Sequence, residues 1–187
     1  MLVFGHAGLT LGAAVVLDGV VSRVRAAPTA ASEQPQRSLL RRVDLRVLLV
    51  GSLLPDLVDK PVGWLFFDCG RVFCHTLLFC LLISLGAFWV WRHSHGTWGF
   101  ALAFGSFLHL ILDSMWDYPS TLLWPLYGLE FKRPEDGDWV DAALQGLCTN
   151  PAVYVPEAVG LAILVGFLLV LVRRRKLQAF AGSGRFE

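Results

Sequence analysis

Residues 98–113 read WGFALAFGSFLHLILD, an apolar stretch that carries His109 and Asp113 near its end. Its length approaches the roughly 20 residues that a helix needs to cross the hydrocarbon core of a bilayer. An ionisable group in such a stretch is costly unless it has a partner, so it marks a functional site by default. This one stretch therefore predicts both the class of fold and the place to look for chemistry.

The rest of the chain has the same character. Of its 187 residues 55% are hydrophobic, with 13 Phe and 7 Trp, which is too apolar for an ordinary soluble domain. Lys and Arg (16) nearly balance Asp and Glu (15), so nucleic-acid binding has no support. Pro55 and the charges after it could end the second helix early. We predict one all-α, polytopic membrane domain over 1–187, with about five transmembrane helices, near 2–21, 45–65, 73–91, 98–117 and 156–172.

The basic residues predict the orientation, because Lys and Arg stay on the cytoplasmic side of a membrane. Twelve of the sixteen lie in the 22–44 loop and the helix edge after it, in the turn near residue 92 and in the tail. We therefore predict a flexible cytoplasmic loop over 22–44, the amino terminus outside and the carboxyl terminus inside. No basic residue precedes the first apolar run, so we expect a retained helix and not a cleaved signal peptide.

Seven acidic and imidazole side chains then fall in one outer layer: His6, Asp56, Asp59, His75, His109, Asp113 and Glu157. The spacings Asp56-Asp59 and His109-Asp113 put each pair on one helical face. Imidazole with carboxylate suits zinc first, or manganese or iron. Each residue also has a structural alternative, as a helix cap, an interfacial histidine or a core histidine.

We predict that one or two divalent ions bind to the six His and Asp residues of this set. Since more than four candidates are present, a carboxylate outside the coordination shell could act as general base, and Asp59 and Glu157 are the candidates. Which carboxylate is ligand and which is base stays open at this point.

A short pattern occurs twice along the chain. Gly51-Ser52-Leu53-Leu54 precedes Asp59 as Gly105-Ser106-Phe107-Leu108 precedes Asp113. Helices one and two would then correspond to helices three and four in a parallel repeat. The small Gly-Ser pairs predict close approach of neighbouring helices.

The residues also resemble a known family. The runs are Gly51-Ser52-Leu53-Leu54-Pro55-Asp56-Leu57-Val58-Asp59, Arg71-Val72-Phe73-Cys74-His75-Thr76, His109-Leu110-Ile111-Leu112-Asp113 and Leu123-Trp124-Pro125-Leu126-Tyr127-Gly128. In this order they resemble the YdjM-type membrane-bound metal-dependent hydrolases, also described as LexA-binding, inner-membrane-associated hydrolases. The resemblance implies a multi-helix membrane fold and the same six His and Asp residues as metal ligands. The family commonly reads His-Arg-x-x-Thr-His-Ser, where this chain has Gly70, Cys74 and Thr76.

Together these features predict a metal-dependent hydrolase of an ester or phosphoester bond in a lipid or lipid-linked substrate at the outer leaflet. The phosphoester preference comes from a distant similarity of the Gly-x-Leu-x-Pro-Asp run to zinc-dependent phospholipases C. The main alternative is a non-catalytic metal-binding or regulatory membrane protein; a scaffold role rests on the family's LexA association alone.

Two further features stay open in the sequence. The outer segment 118–155 reads as re-entrant or interfacial, with a short helix at 137–147, and is either a lid over the site or a connector. A disulfide among Cys69, Cys74 and Cys148 is geometrically possible in an oxidising compartment.

Overall fold

The computed structural model describes residues 2–25, 40, 43–67, 69–131 and 139–185, and within these ranges it contains helices and no strand. Two 3₁₀ turns, Phe73–His75 and Met115–Asp117, lie between the α-helices. This confirms the all-α prediction. The α-helices are α1 (Val3–Arg25), α2 (Leu45–Phe66), α3 (Leu77–Ser94), α4 (Trp98–Leu112), α5 (Pro119–Leu122), α6 (Trp139–Thr149), α7 (Pro151–Arg173) and α8 (Leu177–Ser183).

Polar side chains are buried and large apolar side chains are exposed, which is the reverse of their distribution in a soluble protein. His6, Asp59 and His109 are fully buried, whereas Phe88 and Trp89 on α3 are 53% and 62% exposed. Exposed apolar faces of this extent suit contact with lipid, while the buried polar groups must find partners inside the bundle.

Three helical stretches are long and apolar enough to cross a membrane: Val3–Arg23, Leu77–Ser94 and Pro151–Arg173; α4 is a shorter apolar helix. The described residues therefore contain three full-length candidates and one short apolar helix, where the sequence predicted about five. The helix α2 is long enough to cross a membrane but is not one of these candidates, because its second half carries the charged residues Asp56, Asp59 and Lys60.

The helix α2 runs through Pro55 to Phe66, close to the predicted 45–65, and does not end early at the proline. Proline has no N–H, so the Gly51 carbonyl one turn earlier loses its helical hydrogen bond. Ser106 on α4 donates its hydroxyl to that carbonyl at 3.1 Å. The neighbouring helix therefore satisfies the group that the proline leaves unpaired.

Glycines allow two pairs of helices to touch through their backbones. A Cβ added at Gly51 or at Gly105 would overlap the backbone of the facing helix, α4 or α2 respectively, and Gly8 and Gly160 do the same for α1 and α7. The predicted close approach at the Gly-Ser pairs is confirmed. It brings the second half of α2 against the end of α4.

Several helix ends differ from the prediction. Ser114 has a left-handed backbone (φ 52°) that ends α4 at Leu112, because such a conformation cannot continue a right-handed helix. The Thr76 hydroxyl accepts from the Phe79 N–H and starts α3 after His75. The first helix extends to Arg25, α6 lies close to the predicted 137–147, and α7 begins at Pro151, five residues before the predicted 156.

Most of the predicted 22–44 loop, and residues 132–138, lie outside the described residues.

Candidate metal centre

The loop between α2 and α3 is folded around the buried carboxylate of Asp59. Its Oδ2 accepts hydrogen bonds from the backbone N–H groups of Val72 (2.8 Å), Cys74 (2.9 Å) and His75 (3.1 Å). A buried carboxylate requires such donors, since removing it from water is otherwise costly. Three amides on one carboxylate fix the loop relative to α2 and bring His75 into the bundle.

The rings of His75 and His109 face each other through their Nε2 atoms. His75 Nδ1 lies 2.7 Å from Asp59 Oδ2, and His109 Nδ1 lies 2.7 Å from the Ser52 carbonyl oxygen. Both partners are acceptors, which assigns the proton of each ring to Nδ1. The two Nε2 atoms are 3.2 Å apart. Metal-binding histidines are oriented in this way, by a carboxylate or backbone carbonyl on the other nitrogen.

Four residues contribute atoms to one compact group: Asp56, His75, His109 and Asp113 each offer a ligand atom, all within 4.8 Å of one another. Asp56 Oδ1 lies 3.6 Å from His75 Nε2 and 3.7 Å from His109 Nε2, and Asp113 Oδ2 lies 3.9 Å from His75 Nε2. Two ligands bonded to one ion at about 2.0–2.2 Å lie roughly 3–4 Å apart.

The donor set fits a divalent metal ion in chemistry as well as spacing. With each proton on Nδ1, the lone pairs of two Nε2 atoms meet at 3.2 Å, a repulsive contact that a cation between them relieves. Two imidazoles with carboxylates suit zinc, manganese or ferrous iron.

His6, on α1, lies against this group. Its ring stacks on His109 with centroids 3.9 Å apart, and its Nε2 is 3.1 Å from Asp113 Oδ1. Among the described residues, neither ring nitrogen has a partner in hydrogen-bond geometry, and neither does Thr10 Oγ1 one turn later. Buried polar atoms of this kind are suited to bind an ion or a water molecule. All six predicted His and Asp residues therefore meet at one end of the bundle.

The two residues predicted as general base have other contacts. Asp59 lies behind His75 and is not among the four ligand atoms; its Oδ1 also accepts from Cys74 N–H at 3.0 Å. Glu157 accepts from the backbone N–H groups of Leu2 (2.6 Å) and Phe4 (3.0 Å). It thus satisfies the first amides of α1, where a carboxylate is favourable. In the structure Asp59 positions His75, and Glu157 fixes the helix that carries His6.

Two basic residues that were not predicted as site residues, Lys60 and Arg71, contact the group. Lys60 Nζ pairs with Asp56 Oδ2, and Arg71 Nε donates to Asp113 Oδ2 at 3.2 Å. The spacing of four from Asp56 could have revealed Lys60. Arg71 lies 42 residues from Asp113, so no local pattern connects them.

The cysteines take no part in the group. None of the four forms a disulfide. Cys69 Sγ lies 3.3 Å from the Arg71 carbonyl oxygen and helps to fix that residue. Burial, and then the nearby Asp59 carboxylate, raise the pKa of the Cys74 thiol well above its usual range. Its sulfur is not among the ligand atoms of the compact group.

Aromatic side chains attach the segment after α4 to the turn that carries His75. The Phe73 ring meets Trp124 and Phe131 edge to face, with centroids 5.5 and 5.0 Å apart. The Arg71 guanidinium carbon lies 4.8 Å from the centre of the Tyr118 ring. The described first part of the predicted 118–155 segment therefore packs beside the site.

A family model described as YdjM inner membrane protein matches residues 1–179. The chain belongs to this family. Searches of curated proteins and of solved structures gave no match. Membership of the YdjM family confirms the resemblance seen in the sequence and accounts for the exposed apolar faces of α1, α3 and α7. The matched region contains every residue of the group.

Proposed function

We propose that this YdjM-family protein is a metal-dependent hydrolase embedded in the membrane. Its substrate would be an ester or phosphoester of a lipid or lipid-linked molecule. The observation that carries the proposal is the buried group of Asp56, His75, His109 and Asp113, with ligand atoms within 4.8 Å of one another. The group lies at one end of apolar helices, the depth at which lipid headgroups are found.

Each residue then has a defined task. When bound, a divalent ion at this group supplies a Lewis acid and a water of lowered pKa. Asp59 and the Ser52 carbonyl orient the two liganding histidines. His6 is the remaining nitrogen donor at the group: its ring would accept the proton of the attacking water or, with Asp113 Oδ1, would hold a second ion. Asp59 and Glu157 already accept hydrogen bonds from backbone N–H groups, which makes them poorer candidates for the general base than His6.

A non-catalytic metal-binding protein is the second candidate. It is favoured by the number of ligands, because four protein ligands can complete a tetrahedral shell and leave no position for water. A catalytic ion keeps one position open. The two candidates therefore differ in whether water reaches the ion and in whether turnover occurs.

Metal content provides the first test. Protein purified without added metal is analysed by element-specific mass spectrometry, beside His75→Ala, His109→Ala and the matched control His93→Ala on the exposed end of α3. We expect a divalent transition metal in the wild type and the control, and its loss from the other two variants. Full occupancy in all of them would rule out this site.

Turnover provides the second test. Metal-loaded protein is screened against phospholipids, isoprenoid phosphates and simple esters, with chelated protein as control. We expect hydrolysis that chelation abolishes and metal restores. Bound metal without turnover on any of these substrates would favour the non-catalytic candidate.

The positive-inside rule supports an outward-facing site. Cys148 is exposed and lies just before α7, whose Glu157 holds the start of α1. In intact spheroplasts, a membrane-impermeant maleimide should label the wild type and leave Cys148→Ser unlabelled. Arg185→Cys, combined with Cys148→Ser, should react only after lysis. The reverse pattern would contradict the proposed orientation.

A further inference from the structure

The carboxylates of the metal group each also contact a cation. Asp56 Oδ1 faces the two histidines while its Oδ2 pairs with Lys60. Asp113 Oδ2 accepts from Arg71. The side chains of Arg71 and Lys60 are 36% and 26% exposed, whereas those of His75 and His109 are fully buried. A molecule that approaches the group therefore meets these cations before it meets the histidines.

Arg71 is held in place from several sides. Its guanidinium packs on Tyr118 and donates to Asp113, and its carbonyl contacts Cys69 Sγ. The next residue, Val72, donates its N–H to Asp59 at 2.8 Å. A guanidinium fixed in this way loses little entropy when it binds a ligand, and its planar set of donors matches the oxygens of a phosphate.

The charges of the group identify the kind of ligand it would attract. Asp56, Asp59 and Asp113 carry three negative charges, and Lys60 and Arg71 carry two positive charges. Ligating histidines are neutral, so one divalent ion changes the sum over these side chains from −1 to +1. The loaded site then attracts an anion. A neutral carboxylic ester gains little from the two cations.

We propose that Arg71 and Lys60 bind the phosphoryl oxygens of the substrate, and that the substrate class is therefore phosphate esters. This rests on the proposed metal-dependent hydrolase and narrows its substrate. The bound anion would contact the ion on its inner side and the two basic side chains on its outer side. The shared chemistry is a phosphate ester, whether it is part of a lipid or of a soluble molecule.

The test is calorimetric titration of inorganic phosphate into metal-loaded full-length protein in detergent. The variants are Arg71→Gln and Lys60→Gln, with Arg92→Gln at the exposed end of α3 as matched control. Loss of a charge-assisted hydrogen bond should weaken phosphate binding about ten- to hundredfold. The control should bind as the wild type does. Arg71→Lys should give an intermediate loss, because it keeps the charge and loses the planar donors.

Metal content measured in the same samples separates the failure of the proposed hydrolase from the failure of the roles assigned to Arg71 and Lys60. A wild type without metal overturns the proposed hydrolase, and this inference with it. Metal-loaded variants that bind phosphate as tightly as the wild type overturn only the assignment of Arg71 and Lys60. If the variants do not fold, the affinities of the wild type for phosphate and for acetate are compared by the same titration. Phosphate should bind at least tenfold more tightly than acetate, and equal affinities would overturn the proposed substrate class.

Competition experiments identify the source of the phosphate. Phosphatidic acid in mixed micelles and glycerol phosphate in solution are each titrated against bound inorganic phosphate. Stronger competition by phosphatidic acid supports a lipid phosphate, and equal competition supports a soluble phosphate ester. Competition by neither would overturn the proposal.

Discussion

Replacing Asp59 by Asn tests whether this carboxylate positions His75 or binds the ion itself. Oδ2 receives the hydrogen bonds of Val72 N–H, His75 N–H and His75 Nδ1, and it shares that of Cys74 N–H with Oδ1. An Asn with its oxygen at the Oδ2 position keeps most of these bonds and loses the charge. The substitution therefore weakens the hold on His75 while it preserves the loop.

The expected loss follows from what the charge contributes. Hydrogen bonds to an ionised group are about twice as strong as neutral ones. Loss of an outer partner of a liganding histidine typically costs 10–100-fold in metal affinity, or roughly 1.4–2.8 kcal/mol. Asp59→Ala is less informative: it leaves three amides without a partner at about 1–3 kcal/mol each, a total comparable with the whole stability of a domain.

Metal titration of chelator-stripped protein measures this loss, with Asp117→Asn as control, an exposed acid in the 3₁₀ turn after α4. We expect Asp59→Asn to bind metal about 10–100-fold more weakly and to reach full occupancy at saturation. Unchanged affinity would refute the positioning role. No binding at saturating metal would make Asp59 a ligand. If turnover is found, a loss of about 10²-fold or more at full occupancy would make Asp59 the base.

Three further predictions concern packing and metal linkage. Gly105→Ala should cost about 1–3 kcal/mol of stability, since its Cβ would overlap the backbone of α2; Gly86→Ala, with open space around it, should be neutral or slightly stabilising. Ser106→Ala should cost about 1–3 kcal/mol by leaving the Gly51 carbonyl unsatisfied, while Ser84→Ala, which loses a bond within its own helix, should cost less. Chelation should lower the Tm of the wild type, because metal at 100 times its Kd stabilises by about 2.7 kcal/mol. Thermal unfolding in detergent measures all three, and equal Tm values within each pair would contradict them.

The site could be predicted from the sequence because its members share one physical property. An imidazole or carboxylate in an apolar segment needs a partner, and the positive-inside rule put His6, Asp56, His75 and His109 at one depth. Depth and residue type together thus predicted the cluster. The Gly-Ser pairs likewise predicted the contact that brings two of its helices together, because small residues permit it.

The division of tasks within the cluster could not be predicted, because it depends on backbone geometry. The turn at 72–75 directs three backbone amides at Asp59 and places this carboxylate behind His75. Glu157 became a cap when α1 began beside it. Arg71 lies four residues before His75 in the sequence, but its contact with Asp113, 42 residues away, depends on the path of the loop. In each case the deciding partner lies more than twelve residues away along the chain.

The segment of α2 before Pro55 connects the stability of the bundle to the geometry of the site. Because Pro55 has no N–H, the Gly51 carbonyl accepts a hydrogen bond from Ser106. The next carbonyl, of Ser52, accepts from His109 Nδ1. Both donors lie on one face of α4, three residues apart. The bond from Ser106 fixes the position of α4 on α2, and the bond from His109 holds the proton on Nδ1 and leaves the Nε2 lone pair facing the carboxylates. A proline that would weaken an ordinary helix thus exposes a carbonyl that anchors α4, the helix that carries His109 into the compact group.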